Sequence, residues 1–516
     1  MPFGTARHRA APVLLVLLAF VSGCVQLEPR PELPDQFASP LAQTSELDEL
    51  IAPAEDRHAG QSAFRLLPDG LEAFAVRSRS ALLAGRSLDV QTYIWHADLT
   101  GMFLAHRILE AADRGVRVRL LLDDMDARAK NIHFAALHAH PNIEVRMFNP
   151  FASRDGIFGF IGEGLGNFNR INRRMHNKSW IADNRLALVG GRNLGDEYFG
   201  ASEDVNFVDL DFVMVGPIVR DVSASFDKYW NSPIAYPMDV LDPESVRPEA
   251  LPPLRDALAD AARDAAAGRY GDDLREDQAV QALMNNRLPM EWSASYGFVS
   301  DDPMKAAAKK ASPESSNVLK VVAPTLRAAE RGASVISPYF VPGEEGTQFL
   351  VDIARDSRIR VLTNSLVAND VAAVHGGYSR SRKALLEGGV ALFEMKPVGN
   401  KEVPSSLRGS TGASLHTKAL AVDGEVLFVG SYNLDPRSTS LNCEQGIKVE
   451  NPALAAQLEG LFERQTSGTY AWAVSLEDGD LRWTDGTWTY EKDPEASAGR
   501  RFQAWLARVL HVDSQL

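Results

Sequence analysis

The chain of 516 residues carries one short pattern twice, and that repetition constrains its fold more than any other feature. The first copy reads Met175-His176-Asn177-Lys178, then Asp183, Gly190-Gly191 and Asn193. The second reads Leu415-His416-Thr417-Lys418, then Asp423, Gly430-Ser431 and Asn433. His416 follows His176 by 240 residues. In both copies Lys stands at His+2, Asp at His+7, Gly at His+14 and Asn at His+17. One such spacing can arise by chance, whereas two that agree at every one of these positions imply a duplicated unit.

Apolar runs flank a break at Asp183-Asn184 in one copy and at Asp423-Gly424 in the other. Each motif therefore predicts two short strands joined by a tight turn. Side chains alternate along a strand, so His and Lys at i and i+2 are expected on one face. Asp183 and Asp423 fall in the turns and read as structural carboxylates, not proton-transfer groups. Asn193 and Asn433 follow a glycine-containing turn, which can return an amide donor to the His and Lys.

Upstream of each motif, strand and helix patterns alternate. Residues 88–94, 116–122 and 143–148 read as strands in the first copy, and 333–337, 359–362 and 390–393 in the second. Helical spacing covers 103–114, 347–356 and 375–387. Alternation of this kind predicts α/β units with a mostly parallel sheet. The expected organisation is an N-terminal domain over 61–237, a linker with an Ala-rich helix over 238–315, a C-terminal domain over 316–465 and a small appendage over 466–516.

The N-terminus reads as a targeting segment. Arg7 and Arg9 precede an apolar run too short to span a bilayer, which ends in Val21-Ser22-Gly23-Cys24. Residues 1–23 are expected to be a signal peptide, with Cys24 acylated after cleavage. Residues 24–60, rich in Pro, Glu, Asp and Gln, are expected to be a lipid-anchored tether. Val25 in place of Asp favours the outer over the inner membrane, on the periplasmic side. The net charge of −14 would become −16 after cleavage, which argues against a nucleic-acid partner. Cys443 would be left as the free thiol, read as a small semi-buried residue.

A histidine beside a lysine and an amide, present twice, suits phosphoryl chemistry. One neutral imidazole can attack phosphorus while the other, protonated, serves the leaving oxygen. Lys178, Lys418, Asn193 and Asn433 can hold the non-bridging oxygens. Such histidines need a carboxylate on the second ring nitrogen. Asp209 and Glu444, each eight residues before a proline (Pro217 and Pro452), are the candidates. No metal or cofactor is required. Asp123-Asp124-Met125-Asp126 reads as a polar strand end, His133, His138 and His140 as helix-surface histidines, and Gly162, Gly164 and Gly166 as a flexible loop. The apolar residues 157–161 fit either a buried loop or one that dips into a bilayer.

These paired segments resemble the HKD motifs of the phospholipase D superfamily. Ser87-Leu88-Asp89-Val90-Gln91 with Tyr93-Ile94-Trp95-His96, and Asn433-Asp435-Pro436-Arg437-Ser438, resemble the bacterial cardiolipin synthases, with the C-type subgroup most similar. The resemblance runs from about residue 60 to the C-terminus. It implies two tandem α/β/α sandwich domains that form one pseudo-twofold active site. It also implies His176 as nucleophile, His416 as general acid/base, and Asp209 and Glu444 as orienting carboxylates. The implied activity is a membrane-associated phosphatidyltransferase working through phosphohistidine, with phospholipase D hydrolysis as a side reaction. The expected substrates are phosphatidylglycerol, phosphatidylethanolamine and cardiolipin. A phosphodiesterase nuclease of the same fold is the alternative, and a non-catalytic lipid-binding lipoprotein the third reading.

Overall fold

The computed structural model describes residues 27, 29–41, 44–127, 134–152, 168–369, 371–397 and 415–510. Cys24, the signal peptide, residues 157–161, the three loop glycines and His133 lie outside them.

Two sheets carry the two copies. The first contains β1 (Ser62–Leu67), β2 (Ser87–Thr92), β3 (Arg117–Asp123), β4 (Ile143–Phe148), β5 (Ser179–Ala182), β6 (Leu186–Gly190), β7 (Asp211–Val215), β8 (Ala235–Pro237) and β9 (Glu291–Ser293). Their order is β8-β4-β3-β2-β5-β6-β7-β1-β9. The second contains β10 (Tyr296–Ser300), β11 (Gly332–Ile336), β12 (Arg358–Asn364), β13 (Ala391–Met395), β14 (Ala419–Val422), β15 (Val426–Gly430), β16 (Gln445–Glu450), β17 (Ala471–Glu477), β18 (Asp480–Thr484) and β19 (Thr489–Tyr490). Their order is β10-β16-β15-β14-β11-β12-β13-β17-β18-β19. Reversed, the second order repeats the first from β8 to β1, so the duplication extends beyond the motifs.

The sheets are mixed, which corrects the expectation of a mostly parallel arrangement. Among the described strands, parallel pairing joins only β2–β3–β4 and β11–β12–β13. The motif strands return through tight turns and pair antiparallel, as such turns require.

Both faces of each sheet are buried, which explains the unbroken apolar runs. On β6, Leu186 and Leu188 face an outer core with Phe74 and Leu104, while Ala187 and Val189 face a central core. On β15, Phe428 faces the second outer core, while Leu427 and Val429 join the same central core. The helices Ile218–Trp230 and Pro452–Gln465 complete that centre with Phe226 and Phe462. One apolar core therefore welds the two halves together.

Three further boundaries differ from expectation. Residues expected as a tether are built into the first half from Arg30 onward. Gln36 is held by Asn231, Trp230, Glu144 and Arg119, and the Ala38 amide donates to Asp227. Glu46–Arg57 then forms a helix capped by Ser45. Lack of periodicity hid this strap, because side-chain hydrogen bonds and not an apolar face hold it. The linker contributes β9 to the first sheet and β10 to the second. The expected appendage continues the second sheet through β17 and β18 and ends in the helix Ala498–Leu510.

Candidate active site

Each motif begins in extended chain just before its strand. β5 starts at Ser179 and β14 at Ala419, one residue after each lysine, so His and Lys precede the strands instead of lying in them. Their shared direction follows from the extended backbone. Each lysine folds back on its own motif: Lys178 Nζ donates to the His176 carbonyl at 2.7 Å, and Lys418 Nζ to the His416 carbonyl at 2.5 Å.

The two segments are held by the opposite halves. Met175 bridges to Cys443, and Leu415 bridges to Val208. His176 N donates to the Cys443 carbonyl at 2.9 Å, and His416 N donates to the Val208 carbonyl at 2.8 Å. These crossed bridges bring the carboxylates into place. Glu444 Oε2 lies 3.0 Å from His176 Nδ1, and Asp209 Oδ2 lies 2.6 Å from His416 Nδ1. Each imidazole thus takes its carboxylate from the other copy of the repeat, a partnering that the spacing within one copy does not contain.

The two carboxylates differ in length, and their surroundings match. A Cβ on Gly191 would lie 2.1 Å from Asp209 Oδ1, so the short carboxylate sits against bare backbone. The equivalent position in the second copy is Ser431, whose hydroxyl donates to Glu444 Oε2 and whose carbonyl accepts from His176 Nδ1 at 3.0 Å. The Gly-Gly and Gly-Ser difference between the motifs is therefore paired with the Asp and Glu difference.

Both rings are buried; His176 keeps 8% of its surface and His416 3%. Burial lowers His176 to about 4, with Lys178 and Lys418 adding to the shift against Glu444. Burial and Lys418 lower His416 to about 3, against Asp209. Burial brings Lys178 down to about 7, with Lys418 adding to the shift against Glu444. Burial alone would raise Asp209, but His416 and Lys418 outweigh it and hold the group low. His176 and Lys178 do the same for Glu444. The site thus favours neutral imidazoles and ionised carboxylates, with the Lys178 ammonium destabilised by burial and by Lys418. An anion placed between the ammonium groups relieves their repulsion.

Asn193 donates from Nδ2 to the Tyr198 hydroxyl at 2.8 Å and accepts from Ile94 N at 3.1 Å. Tyr198 in turn packs edge-on against His416 at 5.4 Å. Asn433 is equally buried, and its Oδ1 has no partner among the described residues. Asp183 and Asp423 stand at positive φ in the turns at the far ends of β5 and β14. Asp183 accepts from the amides of Gly85, Arg86 and Ser87, and Asp423 from those of Glu330, Arg331 and Gly332. Each fastens the motif hairpin to the strand entering from the preceding loop.

Several positioning residues carried no legible motif. Asp123 accepts from Met175 N at 2.9 Å and pairs with Arg174. Its counterpart Asn364 exchanges two hydrogen bonds with Leu415. Both sit at the end of the parallel strand next to the central one and clamp the residue before the histidine. A polar residue at that strand end was the available signal. In the linker, the buried pair Asp301–Lys305 supports Glu444, whose amide donates to Asp301 at 3.1 Å.

The acidic run after β3 is engaged in the fold, with Phe151 N bonded to Asp124 and Trp95 N to Asp126. Two other groups could converge on a cation: His96, Asp98 and Glu197, and His375, Glu394 and Asp493. In the second, the Arg382 guanidinium already lies 3.1 Å from both Glu394 and Asp493. The Cys443 thiol is buried and pushed up to about 12 by burial, with Asp301 adding to the shift, which disfavours the thiolate.

The family model described as cardiolipin synthase, PLD-like domain matches residues 81–230 and 322–466, the two repeats. Cardiolipin synthase C of Escherichia coli is 40% identical over 478 residues, covering 90% of this chain and 98% of that protein. Cardiolipin synthase A of Pseudomonas syringae is 25% identical, covering 77% of this chain and 67% of that one. Among solved structures, phosphatidylserine synthase of Haemophilus influenzae superposes with a TM-score of 0.57 at 14% identity, covering 90% of this chain and 99% of that one. That likeness supports the fold. With the repeat matched in both halves and the identity sustained along almost the whole length, the chain belongs to the cardiolipin synthase family of phospholipase D-like enzymes.

Proposed function

We propose that the protein is a membrane-associated phosphatidyltransferase that forms cardiolipin through a covalent phosphohistidine, with hydrolysis as a side reaction. The observation that carries this reading is the crossed pairing of Glu444 with His176 and Asp209 with His416. A carboxylate on Nδ1 fixes the tautomer that leaves an Nε2 lone pair available.

His176 Nε2 attacks phosphorus, forming the P–N bond as the P–O bond to the donor head group breaks. His416 Nε2–H gives its proton to the departing oxygen. A second alcohol, the head-group hydroxyl of phosphatidylglycerol, then returns its proton to His416. Its oxygen displaces His176 from phosphorus, and water in its place gives hydrolysis. The anionic phosphodiester offsets Lys178 and Lys418 and raises His416, so the required proton becomes available with substrate present. Asp209, the shorter contact, stays ionised to support that imidazolium. Lys178, Lys418, Asn193 and Asn433 face the charge that builds on the non-bridging oxygens.

The arginines before the first motif do not favour the nuclease alternative. Arg174 is spent on Asp123 and the Asn149 carbonyl, and Arg173 on the Lys305 carbonyl. Acylation at Cys24 on the periplasmic side, at the outer membrane, completes the proposal. The deciding experiment incubates the purified full chain with phosphatidylglycerol, with and without phosphatidylethanolamine, and reads lipids by mass spectrometry. Cardiolipin is the expected product. Cleavage of DNA without any lipid product would overturn the proposal.

A further inference from the structure

The C-terminal helix Ala498–Leu510 buries one face and exposes an apolar one. Arg500, Ala504 and Ala507 are buried, spaced i, i+4, i+7, while Phe502, Trp505, Leu506 and Val509 are 58%, 54%, 40% and 51% exposed. At 3.6 residues per turn these two stripes lie on opposite sides of the helix. Such a stripe of large apolar residues on a soluble surface needs a partner.

The buried face fixes where the stripe points. A Cβ on Gly376, in the helix Ala372–Glu387, would lie 2.6 Å from the Ala504 carbonyl, so the two helices are in backbone contact. The Arg500 guanidinium donates to the Asn369 carbonyl. Asn369 stands five residues after Asn364, the strand end that clamps Leu415 beside His416. The helix therefore rides on the histidine end of the second sheet. Two more exposed aromatics share that end. Tyr470, 55% exposed, accepts from Lys396 N just past β13, and Trp488, 66% exposed, is tied through Asp485 to the Lys396 ammonium. The N-terminal strap reaches the equivalent end of the first sheet, where Arg30 Nη1 is 3.4 Å from the carbonyls of Ser232 and Ala235, and Ala235 pairs with Phe148.

Charge selects the partner. Outside its buried face the helix carries Arg501 and Arg508, and it has no Asp or Glu, in a chain whose net charge is −14. Basic residues beside Phe, Trp and Leu are the composition of a helix that lies in a lipid interface. Tyr and Trp on the surrounding rim are the residues that settle at head-group depth. We infer that Ala498–Leu510 is an in-plane docking helix for an anionic phospholipid bilayer, which seats the histidine end of both sheets against the membrane. The inference deepens the phosphatidyltransferase reading by assigning the surface from which substrate arrives.

The test uses the full chain and vesicles of phosphatidylglycerol and phosphatidylethanolamine carrying brominated acyl chains. Bromine quenches nearby indoles, and Trp505→Phe identifies the component from this helix. The expected result is quenching that Trp505→Phe removes. Phe502→Glu with Leu506→Glu should lower turnover on vesicles, relative to turnover on soluble short-chain phosphatidylglycerol, by about tenfold. All these side chains are on the exposed face of the helix, and circular dichroism checks that the variants fold. Unchanged quenching in Trp505→Phe, or an unaltered vesicle-to-soluble ratio, overturns the docking helix. So does self-association in solution that the Glu variants abolish, since that assigns the stripe to a second copy. A protein whose Trp505 is quenched but which turns over neither substrate keeps the docking helix and refutes the phosphatidyltransferase reading.

Discussion

Glu444, from the second copy of the repeat, lies 3.0 Å from Nδ1 of His176, from the first. Neither of these two imidazoles takes its carboxylate from its own half; each pair is assembled across the two copies. Glu444→Gln keeps the side-chain shape and removes the charge. Turnover should fall about a hundredfold or more, by the logic of a carboxylate that holds an imidazole tautomer. Steady-state assays with circular dichroism as the fold control check this.

Gly191→Ala tests the steric match between the motif turn and its carboxylate. The added Cβ meets Asp209 Oδ1 at 2.1 Å and must displace it from His416. Turnover should drop at least about tenfold, with a stability loss of about 1–3 kcal/mol from the overpacked site. Ser431→Gly removes a hydroxyl donor without a clash and should be the milder change. The two variants are compared by kcat and by urea midpoint.

Asp183→Ala removes the acceptor of three backbone amides in a buried turn. A stability loss of about 1–3 kcal/mol is expected from the amides left unpaired. Asp423→Ala should cost less, because its turn is more exposed. Denaturant titration measures both. In each variant the folded enzyme should keep kcat, since the carboxylates lie at the far end of the hairpin from the rings.

How much was legible depends on which interactions are local. The spacing from His to Lys to Asn is local, so the residues gathered at the site could be named from the chain. The strands 143–148 and 88–94 were legible because apolar residues alternate with polar ones along them, Ile143, Val145 and Met147 in one and Leu88 and Val90 in the other. Which carboxylate serves which histidine depends on how the halves meet, and no spacing within a copy encodes it. The strap around Gln36 was illegible because hydrogen bonds to Trp230, Asn231 and Glu144 hold it, without an apolar period. β9 and β10 were hidden for a related reason: they are short edge strands on which Ser293 alone is buried.

The lowered groups at the site contribute to the pH dependence of stability. His176 at about 4 and His416 at about 3 lie below the ordinary histidine value of 6.5. Between those values the unfolded chain binds more protons than the folded one, so stability falls as pH drops below about 6.5. Lys178, at about 7 against 10.5, makes stability rise further from pH 7 toward pH 10 by the same sign. Urea midpoints across this range should therefore climb with pH, and His176→Gln should flatten the acid limb. Inorganic phosphate should raise the midpoint at pH 7, because an anion favours the ammonium form of Lys178.

The central claim is that two half-sites act on one phosphorus, with His176 as the attacking group. The most direct measurement is rapid quenching of the full chain with phosphatidylglycerol, followed by mass spectrometry of the peptides around His176 and His416. A phosphatidyl adduct on His176 that vanishes in His176→Ala and accumulates in His416→Ala is the expected result. An adduct on His416, or cardiolipin formed by His176→Ala, would contradict the account.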